Sequence, residues 1–303
     1  MLRDFYNNYY KNLIKTEQES LIRNHQFLPE GKIGELYTAG RVLKRGLIQI
    51  PYMDLCVGTR CSLKCKECDQ WNPYLKNHRC FSYKQIHDNV EQLLNNVNYI
   101  GRVNVLGGEA LLHPEIVEIV QYLADQKKIG QLVIVTNGTI RIKKELLEVC
   151  KARHVMIWVN RYDASSKWNQ IERDCRVNNI QIVTAISQQW ETMGEYGKVY
   201  NNSVKELKCV LDHCCFKTCA MLYGNVFYRC GKAAIVENEK LCQESTLCKL
   251  KVDRIVSKLD MLIKLYRMYA SDYMESCKYC ISPEDREKIR AGVQIGGKEN
   301  EKN

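Results

Sequence analysis

The 303-residue chain has no run approaching 18 consecutive apolar residues, so it offers no candidate membrane-spanning helix. Its opening residues, MLRDFYNNYYKNLIKTEQ, carry charges and aromatics where a signal peptide needs an apolar stretch. A cytosolic protein with no membrane partner is the expectation. No contiguous Lys/Arg stripe interleaved with aromatics is present either. The formal net charge of +10 therefore reads as a basic solvated face, and no nucleic-acid partner is expected.

Cysteine, in contrast, is abundant, with 16 residues. In a cytosolic chain thiolates more often bind metal than form disulfides, and a secreted disulfide scaffold would be much smaller. The cysteines are also unevenly placed. Cys56, Cys61, Cys65, Cys68 and Cys80 form an early group, and Cys209, Cys214, Cys215, Cys219 and Cys230 a middle one. Cys242, Cys248, Cys277 and Cys280 follow, leaving Cys150 and Cys175 alone between groups. This distribution implies two metal regions. The isolated Cys150 and Cys175, and Cys209 with them, read as small buried hydrophobes.

Short β-branched, apolar runs recur along the first two thirds of the chain, in 48–57, 102–108, 131–138, 154–160 and 180–186. Between them lie patterns with helical periodicity. Residues 82–97 place Ile86, Val90, Leu93, Leu94 and Val97 on one face, and 113–126 align Ile116, Ile119, Val120 and Leu123. Residues 143–152 and 166–178 continue the alternation, which predicts a parallel sheet covered by helices. Residues 1–46 read as a polar helical lead-in broken near Phe27-Leu28-Pro29-Glu30-Gly31. After Val204 the rhythm stops. A tight loop and hairpin around Gly224 are expected, then one helix over 254–273 that delivers Cys277-Lys278-Tyr279-Cys280, and a frayed polar tail from 286.

The segment Cys61-Ser62-Leu63-Lys64-Cys65-Lys66-Glu67-Cys68 spaces its cysteines C-x3-C-x2-C. Three thiolates so close together can grip three irons of a cubane cluster and leave the fourth iron open to an exchangeable ligand. A structural zinc site would need a fourth ligand, such as His78 or Cys80.

This motif after the first strand, with Gly107-Gly108-Glu109 after the second, resembles the signature of the radical S-adenosylmethionine (SAM) superfamily, and the resemblance extends over roughly residues 50–285. It implies a partial (β/α)6 TIM-like barrel at 47–208, a small α+β cluster-binding module at 209–285 and a polar tail at 286–303. It also implies that Cys61, Cys65 and Cys68 hold a [4Fe-4S] cluster to which SAM binds exchangeably, and that Gly107, Gly108 and Glu109 contact the SAM amine. Small residues suit a close backbone approach, and a carboxylate pairs with an ammonium. Thr136-Asn137-Gly138 ends the third strand as a similar segment does in many members, near SAM; an Asn-Gly turn is its plain structural reading. Gln70 and Trp71 follow the third cysteine where members carry an adenine-positioning aromatic, so Gln70 is a candidate SAM neighbour and Trp71 either a contact or a packing residue.

The later cysteines resemble a twitch extension, the smaller relative of the SPASM domain, which binds an auxiliary [4Fe-4S] cluster. The leading ligand set is Cys219, Cys230, Cys277 and Cys280, with Cys214 and Cys215 as rivals for the first position. Family chemistry implies reductive cleavage of SAM, an external flavodoxin- or ferredoxin-type reductant, and hydrogen abstraction from a substrate. The preferred substrate is a small polyhydroxylated or nucleotide-linked one: a sugar, aminocyclitol or nucleotide sugar undergoing dehydrogenation. Radical epimerisation or dehydration, ribosomal-peptide modification, tRNA modification and a non-catalytic iron–sulfur role remain the alternatives. Asn160, Arg161, Tyr162, Ser187, Gln188 and Trp190, just past later strands, are the candidate substrate contacts.

Overall fold

A computed structural model describes residues 9–23, 26–186 and 188–296. Its helices are α1 (Lys11–Arg23), α2 (Gly31–Lys44), α3 (Tyr83–Asn96), α4 (Ile116–Ala124), α5 (Lys144–Arg153), α6 (Trp168–Val177), α7 (Val204–Asp212), α8 (Gly231–Asn238) and α9 (Lys258–Ala270). The strands are β1 (Gln49–Gly58), β2 (Tyr99–Gly107), β3 (Ile129–Thr136), β4 (Met156–Arg161), β5 (Ile182–Ile186), β6 (Gln189–Glu191), β7 (Ala220–Tyr223), β8 (Val226–Tyr228), β9 (Lys249–Lys251) and β10 (Lys288–Arg290).

The main sheet runs β5-β4-β3-β2-β1-β7-β8-β9. From β5 to β7 every pairing is parallel, which gives the α/β partial barrel its six parallel strands. The sixth strand, however, does not follow β5. It is β7, from beyond residue 208, and it lies against the opposite side of β1, with Met53 beside Ala220 and Cys56 beside Tyr223. The hairpin β7–β8 and then β9 extend the same sheet antiparallel. Gly224 turns that hairpin at φ +57°, a left-handed conformation that glycine adopts without a Cβ penalty. Residue 208, the expected end of the barrel, lies inside α7.

Helix α3 shows how the sequence builds the layer over this sheet. Ser82 and Gln85 form a reciprocal capping box at its start. Ile86, Val90, Leu93 and Leu94 then bury one stripe against the core formed by β1, β2 and α4. Helix α4 does the same with Ile116, Ile119, Val120 and Leu123. At the opposite end of the barrel, α1 packs on β1 and β2. The buried carboxylate of Glu17 ties α1 to α2 through Arg41 (2.7 Å) and Arg45.

Residues 288–295 depart from the frayed tail expected. Strand β10 pairs antiparallel with β6, and Gln294 forms a bridge with Cys65. Val293, Gln294 and Ile295 hydrogen-bond to the loop after β1, a long-range pairing that local composition does not encode.

Leu93 is fully buried in the main core. Leu93→Ala should lower unfolding free energy by about 2–5 kcal/mol, measurable by chemical denaturation, whereas replacing the exposed Val256 by Ala should leave the midpoint close to the parent value.

Candidate active site

The loop that leaves β1 carries the first cysteine group. It is anchored at its base by main-chain contacts to the segment before α3: Thr59 N–H donates to the Arg79 carbonyl (2.9 Å), and Phe81 N–H to that of Val57 (3.0 Å). Cys65 is buried, and Cys61 and Cys68 are half-buried. Burial pushes the Cys61 thiol up to about 11, and the neighbouring Glu109, Cys68 and Cys65 add to the effect. Cys65 and Cys68 are raised for the same first reason, burial. A bound metal would favour the thiolate forms that burial disfavours. N–H donors already face two of the sulfurs. Leu63 N–H (3.4 Å) and the Asn137 carboxamide (3.5 Å) point at Cys61 Sγ, and the Gln294 carboxamide (3.3 Å) points at Cys65 Sγ.

Gly107 and Gly108 end β2 directly under this loop. A Cβ on Gly107 would collide with the Gly58 carbonyl oxygen, and one on Gly108 with the carbonyls of Arg60 and Thr59. Gly108 N–H donates to Gly58 O (3.0 Å) and Glu109 N–H to Arg60 O (2.9 Å). The glycines therefore serve the approach of two backbones as well as any approach of a ligand. Glu109 is buried, and its carboxylate accepts from Leu111 N–H (3.1 Å) and Asn137 N–H (2.8 Å). Burial nevertheless moves its pKa upward, a cost that a cationic ligand would relieve. Thr136 and Asn137 lie beside it, and Asn137 reaches Ser62 Oγ (3.1 Å) as well as Cys61.

A cavity of about 490 Å³ connects these parts. Cys61, Cys65, Cys68, Gln70, Gly107, Gly108, Thr136 and Asn137 line one side. Gln70 Oε1 is buried there without a hydrogen-bond partner among the described residues. Trp71 turns away from the cavity: it is buried, donates from its indole to Gly194 O (2.7 Å) and packs edge-on to Tyr196 and Tyr279, so its role is packing.

The deeper wall consists of residues that the sequence reading did not single out. Tyr52 and Asp54 on β1, and Arg102 and Asn104 on β2, face the cavity at alternate positions. Asn104 donates to Asp54 (3.0 Å) and also bonds Tyr52, while Arg102 Nε donates to Asn104 (2.8 Å). The Arg102 guanidinium lies 5.5 Å from the Tyr52 ring and 5.3 Å from that of Trp158. No carboxylate among the described residues forms an ion pair with it. Burial pushes Asp54 up to about 6, with the hydrogen bonds from Asn104 and Tyr52 and the charge of Arg102 opposing the shift. The available signal was polar residues at a period of two within otherwise apolar strands.

Of the candidate substrate contacts, Asn160, Tyr162 and Trp190 line this cavity. Arg161, Tyr162 and Gln188 line an adjoining outer cleft of about 890 Å³ with Arg290 and Lys288. The Arg161 guanidinium stacks 3.7 Å above the centre of the Trp168 ring. Ser187 lies outside the described residues.

The second cysteine region forms its own buried cluster. Cys230, Cys248 and Cys277 are core residues, with Cys214, Cys242 and Cys280 packed against them. Among the described residues no three Cys, His, Asp or Glu side chains converge as a single-ion site requires. Three buried cations with unpartnered nitrogens surround the group. Lys232 Nζ lies 3.4 Å from Asp69 and 4.1 Å from the centre of the Trp71 ring without a hydrogen bond. Arg229 Nε and Arg286 Nη2 are likewise buried and without hydrogen-bond partners among the described residues, although Arg229 also donates to the Ser271 carbonyl and Arg286 lies 3.7 Å from Glu191. Lys232 and Arg286 act electrostatically on Cys280, and Cys277 and Cys230 on Arg229. Cys230 immediately precedes α8 and is buried. A four-thiolate iron–sulfur cluster, a net anion, fits this charge arrangement. Cys150 and Cys175 are buried in the main core, as expected, and Cys209 is half-buried on α7.

Residues 55–182 match the family model of the radical SAM superfamily. Among curated relatives, a GTP 3′,8-cyclase of Limosilactobacillus fermentum is 31% identical over 97 residues, covering 31% of this chain and 28% of the relative. A GTP 3′,8-cyclase of Microcystis aeruginosa is 30% identical over 93 residues, 30% of this chain and 28% of the relative. The match thus spans less than a third of the length of these relatives. Among solved structures, BtrN in complex with AdoMet and 2-DOIA is similar at 14% identity and a TM-score of 0.47, covering 80% of this chain and 98% of that one.

The folded Asp54 carboxyl titrates near 6 against 3.8 for a free side chain. A raised acid stabilises the fold fully below the lower value, and that contribution is lost as pH rises through the upper one. The unfolding free energy of the parent should therefore fall more steeply between pH 4 and 6 than that of Asp54→Asn, in paired denaturant titrations.

Proposed function

Since residues 55–182 make this chain a member of the radical SAM superfamily, with a [4Fe-4S] cluster and SAM as its cofactors, we propose that it dehydrogenates a small polyhydroxylated substrate: a sugar, an aminocyclitol or a nucleotide-linked sugar. When bound, these cofactors supply a 5′-deoxyadenosyl radical that removes one hydrogen atom from carbon. We assign Cys61, Cys65 and Cys68 to the cluster, and Gly107, Gly108, Glu109, Thr136, Asn137 and Gln70 to SAM. The external reductant is of flavodoxin or ferredoxin type.

The observation that carries the substrate reading is the single cavity joining the three-cysteine loop to Tyr52, Asp54, Arg102 and Asn104. A donor-and-acceptor wall of this kind suits a ligand with several hydroxyls, and its volume suits a small molecule. Arg102 adds a site for a carboxylate or phosphate. These groups fix the orientation of one C–H bond.

Dehydrogenation of a carbinol needs three departures. The hydrogen atom goes to the 5′-carbon, the hydroxyl proton to a base, and one electron to an acceptor. Asp54 is placed to take the proton. An auxiliary [4Fe-4S] cluster held in the second cysteine region, beside the buried Lys232, Arg229 and Arg286, would supply the electron acceptor. Cys230, Cys277 and Cys280 are three of its ligands. We give the fourth place to Cys214 over Cys219, because Cys214, like Cys280, packs against the buried cluster that contains Cys230 and Cys277, to which Cys219 does not belong. A radical epimerase would instead need a thiol hydrogen donor on the cavity. Among the described residues its only cysteines are those of the first group.

Anaerobic turnover with dithionite, SAM and deuterated sugar, aminocyclitol or nucleotide-sugar pools should place deuterium in 5′-deoxyadenosine from one pool. SAM cleavage with transfer from none would exclude all three substrate classes. Cys65→Ala should abolish SAM cleavage, and Cys230→Ala should retain much of it while losing product. For the auxiliary ligands, Cys214→Ala should lose about four irons per chain in a colorimetric assay and Cys219→Ala should not; the reverse would restore Cys219.

A further inference from the structure

The C-terminal segment reaches the first cysteine loop from more than 220 residues away in sequence. Lys66 N–H donates to Val293 O (2.7 Å) and Ile295 N–H to Lys64 O (2.8 Å), which closes an antiparallel bridge between Cys65 and Gln294. The side chain of Gln294 is used at both ends. Its Oε1 accepts from Lys64 N–H (2.7 Å), while its Nε2 donates to Gly292 O (2.6 Å) and Cys65 Sγ (3.3 Å). The approach is set up by β10 on β6, by the Arg290–Asp163 ion pair, and by Gly292 at φ +71°, where a Cβ would meet the Tyr162 ring.

Main-chain pairing alone would hold this segment in place. The carboxamide does something further: it directs a donor at one sulfur of the triplet. A hydrogen bond to a ligating thiolate withdraws negative charge from the sulfur, which favours the reduced and more electron-rich state of the cluster. Asn137 makes the corresponding contact to Cys61, from a strand of the barrel. The two donors reach different sulfurs from distant segments of the chain.

We propose that Gln294 is a positioning residue of the radical-initiating site, which ties the Lys64 main chain to the Cys65 sulfur and raises the reduction potential of the cluster held by Cys61, Cys65 and Cys68. This rests on Cys65 being a ligand of that cluster. The C-terminal segment is then a working part of the site. Its pairing fixes the loop, and its one carboxamide sets how easily the cluster accepts the electron that starts the reaction.

The test is an electron-paramagnetic-resonance redox titration of the reconstituted full chain, reading the signal that changes on SAM addition, for the parent, Gln294→Leu and Gln294→Glu. The leucine removes both side-chain contacts; the glutamate keeps an acceptor for Lys64 N–H and removes the donor to sulfur. With iron content and circular dichroism unchanged, both variants should show a ratio of reduced to oxidised cluster about tenfold lower at a fixed potential, equivalent to about 59 mV for one electron. An unchanged potential in both variants would overturn the proposal, whatever happened to turnover. A shift in the leucine variant alone would also overturn it, because packing and not the donor would then be responsible. Absence of any SAM-responsive signal in the parent would remove the cluster assignment itself, and this proposal with it.

Discussion

The close contact between the ends of β1 and β2 organises the rest of the molecule. Gly107 and Gly108 approach the backbone of Gly58, Thr59 and Arg60 at a separation that excludes any side chain on them. Gly108 and Glu109 then donate their N–H groups to the carbonyls of Gly58 and Arg60. This pins the base of the cysteine loop to the strand that presents Glu109. It also leaves Glu109 within reach of Asn137 at the end of β3, so three consecutive strand ends are locked into one rim. A barrel site depends on such a rim, since its functional groups come from loops and need a rigid support.

Electrostatics divide the interior below and beside that rim. Inside the barrel, Arg102 and Asp54 share Asn104 as an intermediary and make no direct ion pair, an arrangement that keeps both polar groups satisfied yet available to a ligand. Beside the barrel, Lys232, Arg229 and Arg286 bury positive charge next to thiols that burial holds protonated. Lys232 and Arg286 each face one carboxylate, of Asp69 and Glu191, yet each of the three cations keeps a buried nitrogen without a hydrogen bond among the described residues, which is costly in an empty protein. Their presence around Cys230, Cys277 and Cys280 is understandable when that space carries a compensating anion. The two regions adjoin because β7 lies directly on β1, so the hairpin bearing Cys230 is an extension of the barrel sheet.

Much of the architecture was legible in local patterns. The stripes of α3 and α4 are spaced for one buried face, and the β-branched runs of β1 to β5 could only be buried strands; both follow from periodicity, which is a property of adjacent residues. The cysteine triplet and Gly107-Gly108-Glu109 were visible for a related reason, since their chemistry requires short spacing. The polar positions of β1 and β2 were harder to read. Tyr52, Asp54, Arg102 and Asn104 alternate with apolar neighbours, but nothing local says which face of a strand looks into a cavity.

By itself, then, the sequence determined the class of fold, the loop with three thiols and the helices that cover the sheet, because each is encoded within a window of some twenty residues. Only the tertiary structure decided where the sixth parallel strand lies, that Trp71 packs away from the cavity, that buried cations gather around the second cysteine group, and that Gln294 meets Cys65. Each of these is a contact between residues far apart in the chain. Its formation depends on loop closure and on burial summed over the whole core, quantities that no local pattern contains.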